Sequence, residues 1–139
     1  TRIAEQEYND LTNATRHCLS LGYRHITYLG ATGLREDHTL GNIFLLPFYL
    51  QEFGVTPTMI TDEGCFTVHH GDSTIAAVKG QQISVFNISC THLSGDGLLY
   101  PLSPFTQLWQ GTLNEALGEQ FSVQADGVYM VYACDFDAT

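Results

Sequence analysis

Basic side chains are almost missing from most of this sequence. The 139 residues carry four arginines, all at or before Arg35, and a single lysine, Lys79. Residues 36–139 set that one cation against twelve carboxylates, and the formal net charge is −10. A surface of that sign repels phosphate backbones and anionic headgroups. Nucleic acid and membrane surfaces are therefore excluded as expected partners, and a neutral or cationic small molecule or a basic protein surface is favoured. Long apolar runs are lacking as well: none approaches the ~20 residues that cross a bilayer. No signal-peptide pattern is visible. Thr1 stands where an initiator Met would, compatible with a removed Met, a cleaved leader or a cut boundary. Close cysteine pairs are absent, and Cys18, Cys65, Cys90 and Cys134 leave three disulfide pairings, or none, open. No nucleophile elbow, S-x-x-K pair or G-x-G-x-x-G loop occurs.

What is present is a folded chain's composition. Hydrophobic residues make up 44% and charged ones 14%, a balance that excludes disorder. The length suits one globular domain over residues 1–139. Residues 3–21 read as an amphipathic helix with Ile3, Tyr8, Leu11, Ala14, Cys18 and Leu21 along one stripe, ended by Gly22. Residues 25–30 read as a strand. Residues 39–53 read as a buried apolar helix, capped by Thr39, bent at Pro47 and ended by Gly54. From residue 57 the pattern turns to strands, at 58–61, 65–70, 73–78, 82–90, 98–102, 105–110, 120–125 and 128–136. Asp126-Gly127 is the clearest hairpin signal, with Gly71-Asp72 and Lys79-Gly80 as further tight turns. The expected class is α+β: an N-terminal helix and strand, a buried apolar helix, then a mainly antiparallel sheet, open, curled or barrel-like.

Chemistry-bearing residues gather in two stretches. His70, Asp72, His92 and Asp96 fall at strand ends or turns, where a carboxylate beside an imidazole would make a general acid–base pair. Cys65, His69, Cys90 and His92 form a second set. Alternation puts Cys65 with His69 on one face of a strand and Cys90 with His92 on one face of another. If strands 65–70 and 82–92 pair, the four converge as ligands zinc accepts. In the same strand, His92 is the neighbour that would activate a Cys90 thiolate.

Three short stretches resemble three families. Residues 14–30 resemble a helix–strand unit of the sugar-binding domain of lac-repressor-type regulators. Asp135-Phe136-Asp137-Ala138-Thr139 resembles the nucleophile motif of haloacid-dehalogenase phosphatases. Glu36-Asp37-His38-Thr39-Leu40-Gly41-Asn42 resembles a signature of small RNA-polymerase assembly subunits. They imply three different proteins, and none is adopted. The residues themselves point to a small-molecule-binding α+β domain, as an enzyme using His/Asp acid–base chemistry on a neutral or cationic substrate. The alternative is a non-catalytic interaction or structural module, viral or extracellular, docking a basic partner or forming a homo-oligomer through sheet edges.

Overall fold

The structure, a computed structural model, describes residues 2–33 and 35–135. The chain, read from its sequence as one domain, divides into two compact units, residues 1–62 and 63–139. Its class is α+β, with two helices and mainly antiparallel strands, and neither sheet of the second unit closes into a barrel.

The first unit runs α1 (Arg2–Ser20), β1 (His25–Leu29), α2 (Glu36–Phe53) and β2 (Thr56–Ile60). β1 and β2 pair in parallel, from His25 opposite Thr56 to Leu29 opposite Ile60. A parallel pair needs a crossover, and α2 supplies it. Of the expected stripe on α1, Leu11 and Cys18 are half-buried and Ala14 and Leu21 exposed, the side chains of Ile3 and Tyr8 lie outside the described residues, and the fully buried residue is Thr15. Two hydroxyls of α1 meet tyrosines. Thr15 Oγ1 donates to the Leu11 carbonyl at 2.9 Å and lies 2.5 Å from the Tyr28 hydroxyl. Thr12 Oγ1 is 3.0 Å from the Tyr49 hydroxyl. The rings of Tyr28 and Tyr49 stack at 5.9 Å, and Tyr49 stacks on Phe53 at the same separation. The Arg16 guanidinium lies 5.4 Å over the Phe53 ring.

α2 begins three residues before Thr39, because Glu36 and Asp37 suit the positive end of a helix. It passes through Pro47 and ends as expected at Gly54, whose left-handed φ of 65° lets its N–H reach the Leu50 carbonyl at 3.1 Å. Ile43, Leu46, Pro47 and Tyr49 are its buried side. Leu40, Phe44 and Phe48, spaced by four, form an exposed ridge.

The second unit contains β3 (Gly64–His70), β4 (Ser73–Ala76), β5 (Gln82–Asn87), β6 (Leu93–Asp96), a 3₁₀ turn (Leu108–Gly111), β7 (Asn114–Glu115), β8 (Gln120–Ala125) and β9 (Val128–Cys134). β9 is flanked by β3 and β5, and β7 extends the sheet beyond β5. β8 is flanked by β4 and β6 in a second antiparallel sheet. The two sheets face each other over one core containing Ile83, Val85, Leu93, Phe121, Val123, Tyr129 and Val131.

This topology corrects the hairpin expected at Asp126-Gly127. β8 and β9 lie in different sheets, so that turn is a corner between layers. The apolar run of β9 pairs along both edges, and β3 and β5 occupy them. Gly71-Asp72 is a corner of the same kind. Strands expected at 98–102 and 105–110 are not formed. Pro101 and Pro104 have no N–H for a ladder, and β6 forms upstream instead. Gly111 brings the 3₁₀ turn against β5, so closely that a Cβ there would collide with the Val85 carbonyl.

Candidate functional site

The residues singled out from the sequence fall into a corner and a core. Loops 70–72, 91–92 and 125–127 gather at one end of the second unit. Gly71 N–H donates to the Gly127 carbonyl at 3.0 Å, and Asp126 N–H to the His92 carbonyl at 3.2 Å. Asp72 Oδ1 accepts the Ala125 N–H at 2.9 Å. This brings His70, Asp72 and His92 to one end, while Asp96 sits at the far end of β6, opposite Ser122. No hydrogen bond links these four side chains to one another.

The carboxylate that organises the corner is Asp126, which the sequence reading treated only as a turn residue. It accepts the N–H groups of Thr91 at 2.8 Å and His92 at 2.9 Å, and the Thr91 hydroxyl. The His92 N–H, then Thr91, hold its pKa down at about 2.

The proposed zinc set does not assemble by strand pairing. β9 lies between β3, which carries Cys65, and β5, so the two strands expected to pair are not neighbours. β5 also ends at Asn87, whose side chain accepts the Cys90 N–H at 2.7 Å and donates to the Cys90 carbonyl at 3.0 Å. Cys90 and His92 therefore lie in a loop, where strand alternation no longer applies. Cys90 Sγ donates to the Val128 carbonyl at 3.4 Å, and burial pushes its thiol pKa up, the reverse of activation. Burial also raises the pKa of Cys65. His69 stacks on Tyr129 at 5.3 Å, bonds Thr67 Oγ1 through Nε2 at 2.8 Å, and is held neutral by burial, which lowers its pKa. Among the described residues no group of three or more His, Cys, Asp or Glu could hold a metal ion.

Two other places have the character of ligand sites, one in each unit. In the first, the chain leaves the carboxyl end of β1 and opens α2, the position where parallel α/β units bind ligands. Arg35 grips Asp37 there with two bonds, Nε to Oδ1 at 2.7 Å and Nη2 to Oδ2 at 3.0 Å. Arg35 Nη2 also lies 2.9 Å from His38 Nε2, and Asp37 Oδ1 accepts the His38 N–H at 2.9 Å. The guanidinium is the largest cause of the lowered pKa of Asp37. A pair this exposed adds little stability, so its effect is positional. Asn42 Nδ2 donates to the Ala31 carbonyl at 2.9 Å and ties the loop to the helix. Beside the loop lies an open depression of about 380 Å³ lined by Gly33, Glu36, Thr39 and Leu40.

In the second unit, residues 97–100 run alongside 114–117. Leu99 N–H donates to the Glu115 carbonyl and Leu117 N–H to the Gly97 carbonyl, each at 2.9 Å. Asn114 is buried and knits the two stretches: Oδ1 accepts the Tyr100 N–H at 3.0 Å, and Nδ2 donates to the Tyr100 carbonyl at 2.9 Å. Leu98 and Ala116 bridge on the inner side. Outside, Leu99, Tyr100, Leu108, Trp109, Leu113 and Leu117 are all exposed, Trp109 to 70%. Large apolar groups exposed at this density along residues 97–117 make the stretch a candidate binding face. The expectation of strands here hid it, since a strand would have buried alternate members.

Comparison with known proteins agrees with this division. Residues 1–55 match the thiamin pyrophosphokinase catalytic domain, and residues 64–132 match the thiamin pyrophosphokinase substrate-binding domain. No curated protein matches the chain. Among solved structures, thiamine pyrophosphokinase from Bacillus subtilis is 23% identical with a TM-score of 0.76, over 91% of this chain and 63% of that one. Thiamin pyrophosphokinase from Geobacillus thermodenitrificans is 23% identical with a TM-score of 0.71, over 93% of this chain and 62% of that one. The Candida albicans enzyme is 20% identical with a TM-score of 0.69, over 81% of this chain and 45% of that one. These likenesses show the fold, and this chain spans less than two thirds of each of these relatives. The stretch Glu36–Asn42, which by itself resembles a polymerase subunit, lies within the catalytic-domain match. With each of its two units matched over most of its length, the chain belongs to the thiamin pyrophosphokinase family.

Proposed function

We propose that this chain takes part in the transfer of a pyrophosphoryl group from ATP to thiamin. The β1–α2 loop serves the nucleotide, and the 97–117 face serves thiamin. In the reaction, the thiamin hydroxyl oxygen attacks the β-phosphorus of ATP. The bond from that phosphorus to the α,β-bridging oxygen breaks, AMP leaves with that oxygen, and the hydroxyl proton passes to solvent. Such transfers depend mainly on positioning and on charge stabilisation of the phosphoryl oxygens. Arg35 is the loop residue suited to that task, since a guanidinium binds phosphate through paired N–H groups.

The observation that carries the reading is the exposed aromatic and apolar face at 97–117, lying within the substrate-binding match. Thiamin carries a permanent positive charge on its thiazolium ring. Such rings stack on Trp and Tyr, here Trp109 and Tyr100. Residues 63–139 hold eight acidic groups against Lys79 alone, a field that attracts a cation. The acid–base set of His70, Asp72, His92 and Asp96 has no chemical step in this reading. Asp72 instead holds a corner of the fold.

The test is incubation of the full chain with thiamin and ATP, followed by chromatography and by calorimetric titration of thiamin. Thiamin diphosphate and AMP in equal amounts, with saturable thiamin binding, are expected. Neither product nor binding would overturn the proposal.

A further inference from the structure

We infer that Leu113 is a substrate-contacting, specificity-determining residue of the 97–117 face, an inference that rests on the thiamin reading above. Among the described residues Leu113 alone, glycines aside, has a positive φ, at 64°. Left-handed backbone brings Cβ of an L-residue against its own carbonyl, and Gly or Asn adopts it more readily. A turn needing only that backbone would carry one of those.

Packing does not account for the leucine either, because it is 74% exposed. The conformation is imposed from both sides. Leu113 N–H donates to Ser84 Oγ at 3.3 Å, and the preceding Thr112 hydroxyl donates to the Trp109 carbonyl at 2.6 Å. On the other side, the buried Asn114 is anchored to Tyr100, and its Oδ1 also accepts the Glu115 N–H at 2.9 Å. A strained residue that its surroundings over-determine, and that buries nothing, points to a role in binding. The turn holds an aliphatic side chain in solvent next to the turn that carries Trp109. An aromatic plane and an aliphatic wall together suit a flat heteroaromatic cation better than a smaller or more polar ligand.

Two variants of the full chain separate strain from contact. Leu113→Asn relieves the backbone and removes the apolar group. Its Tm is expected to rise by about 4 °C, while the thiamin Kd rises about tenfold or more. Leu113→Ala keeps the strain and removes the contact, so the Kd rises similarly with no gain in Tm. Wild-type affinity in either variant would overturn the inference, as would a lower Tm in Leu113→Asn, which would make the leucine a folding residue. A wild-type chain that binds no thiamin would overturn the functional reading beneath it instead.

Discussion

Replacing Thr15 by valine tests how α1 is held to its unit. The change keeps shape and volume nearly constant, so packing around this fully buried position is retained. It removes the hydroxyl that meets the Tyr28 hydroxyl at 2.5 Å. Tyr28 is buried, and its phenol is left without that partner. An unsatisfied buried hydroxyl costs about 1–3 kcal/mol. In a unit of this size each kcal/mol lowers Tm by roughly 4–8 °C. Both helices lie in the first unit, so the helical circular-dichroism band reports its unfolding directly. Thr15→Val is expected to lower that transition by several degrees. The double variant Thr15→Val, Tyr28→Phe removes both partners, leaves no orphan, and is expected to recover most of the loss. A Thr15→Val transition within about 2 °C of wild type would refute the reasoning, since it predicts at least about 4 °C. So would a double variant less stable than the single one.

Further outcomes follow from other contacts. Gly111→Ala is expected to destabilise the second unit by about 1–3 kcal/mol, read from the fluorescence of the single Trp109, because its Cβ would meet the Val85 carbonyl; an unchanged transition would contradict that packing. Burial pushes the Tyr28 pKa up to about 12, against the lowering effect of Thr15, and also raises that of Tyr49. An unfolded tyrosine titrates near 10, so between pH 10 and 12 the unfolded chain loses its proton first. Stability is thus fully present below pH 10 and declines as pH rises through about 12, and Tyr28→Phe should flatten that decline in urea titrations. Asp126→Ala should speed amide hydrogen exchange at Thr91 and His92, its two backbone donors, while exchange along β3 is unchanged. Cys18, Cys65, Cys90 and Cys134 are all free, and Cys90, buried and bonded to Val128, should react with thiol reagents more slowly than Cys18.

Much of the architecture was legible because it depends on local periodicity. The first helix and strand, the stop at Gly54, and the strands at 64–70, 120–125 and 128–134 follow from residue spacing and from backbone preferences of single residues. The acidity of the β-rich part needs only a count of side chains. Strand pairing is different. Asp126-Gly127 has the same local chemistry in a hairpin and in a corner between sheets. What decides is which strands claim the edges of β9, and those partners come from residues about 40–70 positions earlier in the chain. That choice separates Cys65 from Cys90 and makes Asp126 the anchor of a corner. The backbone conformation at Leu113 is set in the same way, by its bond to Ser84 and by the bond of the adjacent Asn114 to Tyr100. The sequence by itself determined the charge, the α+β class and most of the elements. The tertiary structure decided which residues stand together, because side-chain proximity across sheets depends on long-range pairing that local preference does not encode.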